Sequence, residues 1–509
     1  MNRVTASMID DRPMRNVMRS RPSLYCHYYG LPALLQSTLL ARALRRCPVG
    51  LRSSFGGFAR FCVAFITFVI LAGAVEAQET APEPPKAEGA EASTDAKSGE
   101  AQGAPLTILY FRQAGRRDDG GEAFGKGLAD AVSAVNGRDG GLNNITVDLK
   151  ECDIPAGAEA ATLLGASGCN GAAAEARLAI VWPREDLEAF AIEAERSGFP
   201  LIAVAGRDAL SQGEELRWSF APPLSLSRQA LALLEAASST ADKKEPVQRI
   251  ALFHSADAWG GDMRDALMSA SERQGFTLQT YSVRAGEAQD IISTFRDFGV
   301  SPPDRIIIWG NGGVADTVLR EAVKRDYPVG QLVSGFADAA YETLVDLGAR
   351  GKGFGVVAMT APASSPSPET DDDASKGKGE GTPPLRATGE LVGALSVEAL
   401  GAAQELANDR YPARGDVRTA LERVNLTPER MKALGLAPLP SALKLSCTDH
   451  AGSAEPVFLQ WSGGVFAQIP LELPAAAGSS ARNGSSALTS QIGDERAEAP
   501  SCPTDKVEE

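Results

Sequence analysis

Short apolar runs alternate with segments of helical periodicity along most of this chain, and this alternation is the feature that most restricts its fold. In a first series, the runs lie at residues 107–111, 146–149, 178–182 and 201–204. In a second series, they lie at residues 250–253, 277–281, 306–309 and 332–334. Strands that alternate with amphipathic helices form parallel sheets covered by helices on both faces. Two such series predict an α/β protein with two lobes.

The segments between the runs carry apolar residues at helical spacing and small residues at their ends. The clearest is Phe124–Val135, which we expect to end at Gly137, and helices are also expected over 185–196 and about 261–273. Ligands of parallel sheets bind beyond the carboxyl ends of the strands. The loops that follow the apolar runs are therefore where a binding site is expected.

Composition divides the chain further. Three stretches are rich in proline, alanine, serine and charged residues without periodicity, and we interpret them as a linker (78–104), an inserted surface loop (362–384) and a tail (471–509).

The first 77 residues resemble a targeting segment that is cleaved off during export. They carry ten arginines, no lysine and three acidic residues, on a chain whose net charge is -15. The uncharged run Phe61–Ala74 is followed by Val75-Glu76-Ala77, with small residues where a signal peptidase cuts. The run is shorter than the ~20 residues of a membrane-spanning helix. We expect cleavage near Ala77 and a periplasmic protein, with a retained anchor as the alternative. A mis-assigned start codon is one explanation for the long segment before the run.

Composition also excludes several classes of function. Hydrophobic residues make up 44% of the chain and charged residues 23%, which is typical of a protein with a real core. The acidic net charge disfavours nucleic acid as a partner. The sequence contains no phosphate-binding loop, nucleophile elbow or zinc-protease motif. With only three histidines, we expect neither catalysis, nor a cofactor, nor a metal site.

Three polar features have simpler explanations than a binding role. Asp371-Asp372-Asp373 lies in low-complexity sequence and is interpreted as a solvated charge run. His254 ends a predicted strand without an evident acid–base partner, so a structural or surface histidine is favoured. His450 and Cys447 are close in sequence, but one cysteine and one histidine do not make a metal site.

The order of these segments resembles the branched-chain amino acid (leucine/isoleucine/valine) binding proteins, which have the type I periplasmic binding fold. Residues 251–329 resemble the second lobe of that family, including the acidic-aromatic-Gly turn Asp257-Ala258-Trp259-Gly260. Residues 123–142 resemble its first helix, and residues 447–469 its closing hairpin. The resemblance covers roughly residues 105–470. It implies a first lobe (105–221), a second lobe (222–358), a return to the first lobe (359–440) and a closing hairpin of the second lobe (441–470). It also implies a monomeric protein with a hinge between its lobes, which captures a small molecule between them and delivers it to an ABC permease in the inner membrane.

The resemblance also indicates where the ligand would be held. The corresponding positions are Trp182, Arg184, Gly206, Arg207, Trp259, Asn311 and Asp338. Hydroxyl residues with which the family holds an amino acid are absent after the third apolar run, and Pro183 has no amide donor. We therefore do not transfer amino-acid specificity. Two arginines and an aromatic residue instead favour an anionic or aromatic ligand.

The cysteines and the alternatives complete the sequence-based expectations. The family often carries a disulfide in the first lobe, which implies a disulfide between Cys152 and Cys169. Cys447 and Cys502 could pair likewise.

Two other functions remain as alternatives to solute capture. The same fold also occurs in sensors and in activators of cell-envelope enzymes. An exported enzyme is the third and weakest hypothesis.

Overall fold

The computed structural model describes residues 104–471, with gaps at 114–119, 156, 183–185, 205–207, 212–215, 240–246, 285–287, 311–312, 337–339, 361–382, 409, 437–438 and 453. The predicted signal region and nearly all of the predicted linker, insertion and tail lie outside these residues. Among the described helices, none is long and apolar enough to cross a membrane.

Five parallel strands form the first sheet, in the order β2-β1-β3-β4-β5. They are β1 (Leu106–Gln113), β2 (Val147–Ile154), β3 (Leu178–Val181), β4 (Leu201–Ala203) and β5 (Ser219–Phe220). The helices between them are α1 (Gly121–Asp139), α2 (Ala160–Leu164), α3 (Ala172–Glu175) and α4 (Leu187–Ser197), with short 3-10 turns at Cys169–Gly171 and Asp208–Ser211.

Seven strands form the second sheet, in the order β14-β13-β10-β9-β8-β6-β7. They are β6 (Arg249–Ser255), β7 (Thr277–Val283), β8 (Arg305–Trp309), β9 (Leu332–Gly335), β10 (Gly355–Ala358), β13 (Val457–Trp461) and β14 (Phe466–Ile469). The strands β6 to β10 pair in parallel, whereas the hairpin β13–β14 is added antiparallel to β10. The accompanying helices are α5 (Leu226–Ser239), α6 (Ala258–Gln274), α7 (Ala288–Phe298), α8 (Val314–Lys324) and α9 (Tyr341–Leu347).

Three more helices follow the second series of strands: α10 (Pro384–Leu406), α11 (Arg414–Leu421) and α12 (Pro428–Ala433). A two-stranded antiparallel ladder joins β11 (Asn425–Leu426) to β12 (Leu443–Lys444). Helix α10 packs along α1, and Arg138 of α1 donates to the carbonyl of Ala433 in α12. We call the first sheet with α1–α4 and α10–α12 the first lobe, and the second sheet with α5–α9 the second lobe.

Strand β1 shows why the first sheet needs helices on both of its faces. Its residues from Leu106 to Phe111 are all buried. Tyr110 points to the face covered by α1, where its ring lies 5.6 Å from that of Phe124. Phe111 points to the opposite face, where its ring lies 5.7 Å from that of Phe190 in α4. A continuous apolar run is thus buried on two sides, as parallel sheets require.

The end of α1 corrects one prediction. We expected the helix to stop at Gly137, but it continues to Asp139 and ends at Gly140, whose φ is 71°. A helix ends most readily where glycine adopts the left-handed conformation. Gly137 lies inside the helix with open space around its Cα, so the first of two closely spaced glycines was wrongly taken as the stop.

The contact between α1 and α10 is unusually close because glycines line it on both helices. A Cβ atom on Gly389 of α10 would lie 2.1 Å from the carbonyl oxygen of Phe124 in α1. On α1, a Cβ atom on Gly127 would lie 2.0 Å from the carbonyl oxygen of Arg386. Small residues at such positions let helix backbones approach each other directly. The first lobe therefore depends on a helix that follows the second lobe in sequence.

The disulfide implied by the family resemblance is present. Cys152 of β2 is bonded to Cys169, and their Cα atoms are 5.6 Å apart. The bond ties the edge strand β2 to the turn that precedes α3. Cys447 is also disulfide-bonded, whereas Cys502 lies outside the described residues.

Candidate functional site

The loops in which we predicted ligand contacts follow the carboxyl ends of neighbouring strands. Loops 183–185 and 205–207 follow β3 and β4, which are adjacent in the first sheet. Loops 311–312 and 337–339 follow β8 and β9, which are adjacent in the second sheet. Because parallel strands end at the same edge of a sheet, the carboxyl ends of β3 and β4 lie at one edge of the first sheet, and those of β8 and β9 lie at one edge of the second sheet. The predicted contact residues follow these strand ends in the sequence.

Most of the predicted contact residues themselves are not described. Arg184, Gly206, Arg207, Asn311 and Asp338 all fall in gaps. Their roles stay predictions. Of the seven residues, the structure places Trp182 and Trp259.

Trp182 closes β3 as a buried packing group. Its amide donates to the carbonyl of Phe111 at 3.0 Å, which extends the pairing of β3 with β1. Its indole is 2% exposed and lies 4.9 Å from the ring of Phe124. The indole therefore supports the carboxyl edge of the first sheet from within the core.

The turn Asp257-Ala258-Trp259-Gly260 is built to start helix α6. Asp257 accepts hydrogen bonds from the amide of Gly260 at 2.8 Å and from the hydroxyl of Ser255 at 2.7 Å. This is the usual way for an aspartate to cap a helix. A Cβ atom at position 260 would lie 2.0 Å from the carbonyl oxygen of Ser255, so only glycine fits there. The acidic residue and the glycine of this motif thus have structural roles.

Trp259 points from this turn into the second lobe. It is 3% exposed, and its ring centroid lies 4.7 Å from that of Trp309. Trp309 in turn lies over Gly335, where a Cβ atom would be 2.5 Å from the indole. Trp309 was not among the residues predicted for the site. It is the last residue of the apolar run 306–309, the position at which a side chain reaches the carboxyl edge of the sheet.

His254 is a buried structural residue, as favoured from the sequence. It is 4% exposed, and its Nδ1 lies 2.9 Å from the carbonyl oxygen of Ser255. A carbonyl only accepts, so Nδ1 carries the proton. Burial lowers the pKa of His254, and the nearby positive charge of Arg264 lowers this pKa further. The histidine is therefore held in its neutral form near the carboxyl edge of β6.

The lobes are joined by three connections, at residues 221–225, 359–383 and 445–456. Beside the first connection, Asp208 of the first lobe accepts hydrogen bonds from Ser227 in the first turn of α5 in the second lobe. Its carboxylate oxygens lie 3.3 Å from the Ser227 amide, and the Ser227 hydroxyl also donates to it. Asp208 directly follows the predicted contact residue Arg207, and sequence reasoning missed it. A hydrogen-bonded contact between Asp208 and Ser227 thus links the first lobe to the start of a helix of the second lobe.

The first and third connections are pinned together by His450, which is fully buried. Its Nδ1 lies 2.7 Å from the carbonyl oxygen of Ser219, and its own carbonyl accepts from the amide of Ala221 at 2.9 Å. Its ring stacks on Phe220 at a centroid distance of 3.9 Å. Its Nε2 lies 3.4 Å from Oε1 of Glu422, at the end of α11.

Among the described residues, no group of three or more potential ligand side chains could hold a metal ion. In the described residues, buried tryptophans pack beneath the carboxyl edge of each sheet. Polar contacts hold the connections between the lobes.

Comparisons with known proteins agree with this architecture. No family profile matches the chain, and no curated protein matches it. Solved structures do match. One is described as an ABC transporter permease from the Pseudomonas fluorescens group; it is 21% identical, with a TM-score of 0.58 over 73% of this chain and 93% of that one.

Two further structures were solved with ligands. One is a branched-chain amino acid ABC transporter protein from Thermus thermophilus with bound valine, 15% identical, with a TM-score of 0.58 over 77% of this chain and 99% of that one. The other is a solute-binding protein of an ABC transporter from R. palustris in complex with benzoate, 16% identical, with a TM-score of 0.53 over 73% of this chain and 97% of that one. The chain therefore has the type I periplasmic binding fold, as its resemblance to that family implied.

Proposed function

We propose that this protein is an exported solute-binding protein that captures a small molecule between its two lobes and presents it to an ABC permease. The observation that supports the proposal most is that three connections join two lobes, one built on a parallel sheet and one on a mostly parallel sheet. Lobes joined in this way close around a ligand by bending at the hinge. The similar solved structures come from ABC transporter proteins and not from enzymes.

We infer that the ligand is a small anion. Trp182 and Trp259 are packed within their lobes, so stacking on an exposed indole face is a weaker basis for binding than the arginines. Arg184 and Arg207 follow adjacent strands of the first sheet, where two guanidinium groups suit a carboxylate or a phosphate. Asn311 and Asp338 would supply polar contacts from the second lobe.

A thermal-shift screen of the purified protein tests the proposal. The probes are valine, benzoate, a panel of aliphatic carboxylates, and inorganic phosphate. A ligand that binds only the folded protein raises the free energy of unfolding by about 2.7 kcal/mol at a hundredfold excess over its dissociation constant. We expect a carboxylate or phosphate to stabilise the protein and valine to do so less.

Variants then test the site. Replacing both Arg184 and Arg207 with alanine should abolish stabilisation by the anion and leave the ligand-free melting temperature nearly unchanged. Arg264→Ala is a matched control, because Arg264 is exposed on α6 and paired with Asp265. Undiminished binding by the double variant would reject the arginine site. A protein stabilised by no small molecule, but retained by a cell-envelope protein, would favour the activator hypothesis.

A further inference from the structure

Two arginines of the first lobe meet at the amino end of β3, whereas the candidate ligand loops follow carboxyl ends of strands. Arg177 directly precedes β3, and Arg414 is the first residue of α11. The Nε atom of Arg414 donates to the carbonyl of Ala176 at 3.1 Å, and Nη1 of Arg177 donates to the same oxygen at 3.4 Å. Two guanidinium groups thus converge on one carbonyl oxygen.

Each of these guanidinium groups lies over an aromatic ring. The guanidinium of Arg177 is 4.5 Å from the ring centroid of Tyr411, and that of Arg414 is 3.8 Å from the ring centroid of Phe199. Tyr411 is itself anchored, because its hydroxyl donates to the carbonyl of Pro105 at 2.9 Å. A ring beneath a planar guanidinium and a hydrogen bond at its edge hold the group in one orientation.

The two positive charges are not compensated within the described part of the chain, where neither arginine forms an ion pair with a carboxylate. Their other hydrogen bonds go to backbone carbonyls, that of Glu175 for Arg177 and that of Ala173 for Arg414. Burial, together with the charge of Arg177, lowers the pKa of Arg414 to about 10. Both groups are therefore charged at neutral pH, and they repel each other.

Each guanidinium also keeps one donor for a ligand. Nη2 of Arg177 and Nη1 of Arg414 have no hydrogen-bond partner among the described residues, and both atoms are accessible to solvent. The Nε atom of Arg177 is buried and also lacks a partner. Donors of two arginines, held in place and turned toward solvent, suit an oxyanion.

We propose that Arg177 and Arg414 form a binding site for a small oxyanion of the phosphate type at the amino edge of the first sheet. Two positive charges match a dianion, and because both side chains are half-buried, their accessible donors favour a compact one. At about 3.3 Å per residue, Arg177 lies ~17 Å along the strand from Trp182. The site is thus separate from the candidate ligand site, and a bound oxyanion would join β3 to α11.

Calorimetric titration with inorganic phosphate tests the proposal. It is carried out on the variant in which Arg184 and Arg207 are both replaced with alanine, so that the arginines of the candidate ligand site cannot contribute. We expect this variant to bind one phosphate. Adding Arg177→Gln should weaken the binding about tenfold or more, because a charge-assisted hydrogen bond and one charge are lost. Adding Arg414→Gln should have the same effect.

Arg430→Gln, in the same background, is the matched control. Arg430 belongs to α12 of the same lobe and is ion-paired with Glu398 at 2.7 Å, so its loss should leave phosphate affinity unchanged. Circular dichroism shows whether each variant folds. If Arg414→Gln unfolds, Arg177→Lys replaces it; that variant keeps the charge and loses the fork, so it should bind more weakly than Arg177 and more tightly than Arg177→Gln.

Two results would overturn the proposal. One is that phosphate does not bind once Arg184 and Arg207 are replaced, which would assign any phosphate binding of the wild type to the candidate ligand site. The other is that folded Arg177→Gln binds phosphate as tightly as its background. The proposed capture of a solute between the lobes is tested by Arg184 and Arg207 alone, so either idea can fail without the other.

Discussion

At the scale of single residues, His254 should make the protein sensitive to acid. Its pKa is lowered by burial, so the unfolded chain takes up a proton at a higher pH than the folded one. The stability contributed by the neutral imidazole is then fully present above about pH 6.5 and is lost as the pH falls toward the lowered pKa. One proton limits this loss to about 1.4 kcal/mol per pH unit.

The variant His254→Asn tests this directly. Asparagine retains a donor for the Ser255 carbonyl but does not titrate. Urea unfolding between pH 7.5 and pH 5 should show a smaller loss of stability in the variant than in wild type. Parallel curves would show that the imidazole takes up its proton equally in the folded and unfolded states and contributes nothing to acid sensitivity.

A second prediction at this scale concerns Cys447. It is disulfide-bonded, and Cys152 and Cys169 are bonded to each other. The remaining cysteines are in the predicted signal region, except Cys502. We predict that Cys447 pairs with Cys502. Peptide mapping without reduction should recover the two in one linked peptide, and a free thiol at position 447 would contradict the prediction.

At the scale of elements, the contact between α1 and α10 should tolerate no added methyl group. The variant Gly389→Ala places a Cβ atom against the backbone of Phe124, where neither helix can yield without moving. Overpacking of this kind costs about 1–3 kcal/mol. The midpoint of urea unfolding should fall accordingly.

Gly401→Ala is the matched control on the same helix. Its added Cβ atom would meet only the side chain of Leu142, at 3.6 Å. A glycine in an open helix position weakens the helix by about 1 kcal/mol relative to alanine. We therefore expect this variant to unfold at an equal or higher urea concentration. If both variants shift the midpoint alike, the close approach of the helices is not what matters.

The strands were predictable because each is an apolar run long enough to be buried. Strands β1, β3 and β6 all lie within a residue or two of their predicted positions. Helix α10 was not assigned from the sequence, although Leu391 and Leu395 are buried apolar residues at helical spacing along it, and Leu400 is buried as well. The glycines that form its closest contacts carry no hydrophobic signal of their own. Strand β5 has two residues, too few for any periodicity to show.

The candidate site was less predictable than the fold. Position along the chain shows which residues follow a strand, but five of the seven predicted contact residues lie outside the described residues, so their roles stay predictions. The sequence did not show that the side chains of Trp182 and Trp259 are buried within their lobes. Burial of an indole depends on neighbours that are distant in the sequence, such as Phe124 and Trp309. The contact from Asp208 to Ser227 likewise forms across the two lobes and leaves no local pattern.

At the scale of the whole molecule, the proposed periplasmic location makes a simple prediction. We predict that the mature protein begins near Gln78, because the apolar run and the small residues before that position resemble those of a signal peptide. N-terminal sequencing of periplasmic material checks this. An exported protein that begins at Met1 or Leu51 would contradict it.

The packing of α10 on α1 also governs when the molecule can fold. Asp130 and Arg386, which are hydrogen-bonded at 2.7 Å, are 256 residues apart in the chain. Most of the second lobe, apart from the hairpin β13–β14, is synthesised between them. Contacts of such sequence separation form late, since a long loop must close first. As the chain leaves the ribosome, the glycine-lined side of α1 therefore stays uncovered until α10 has also been synthesised.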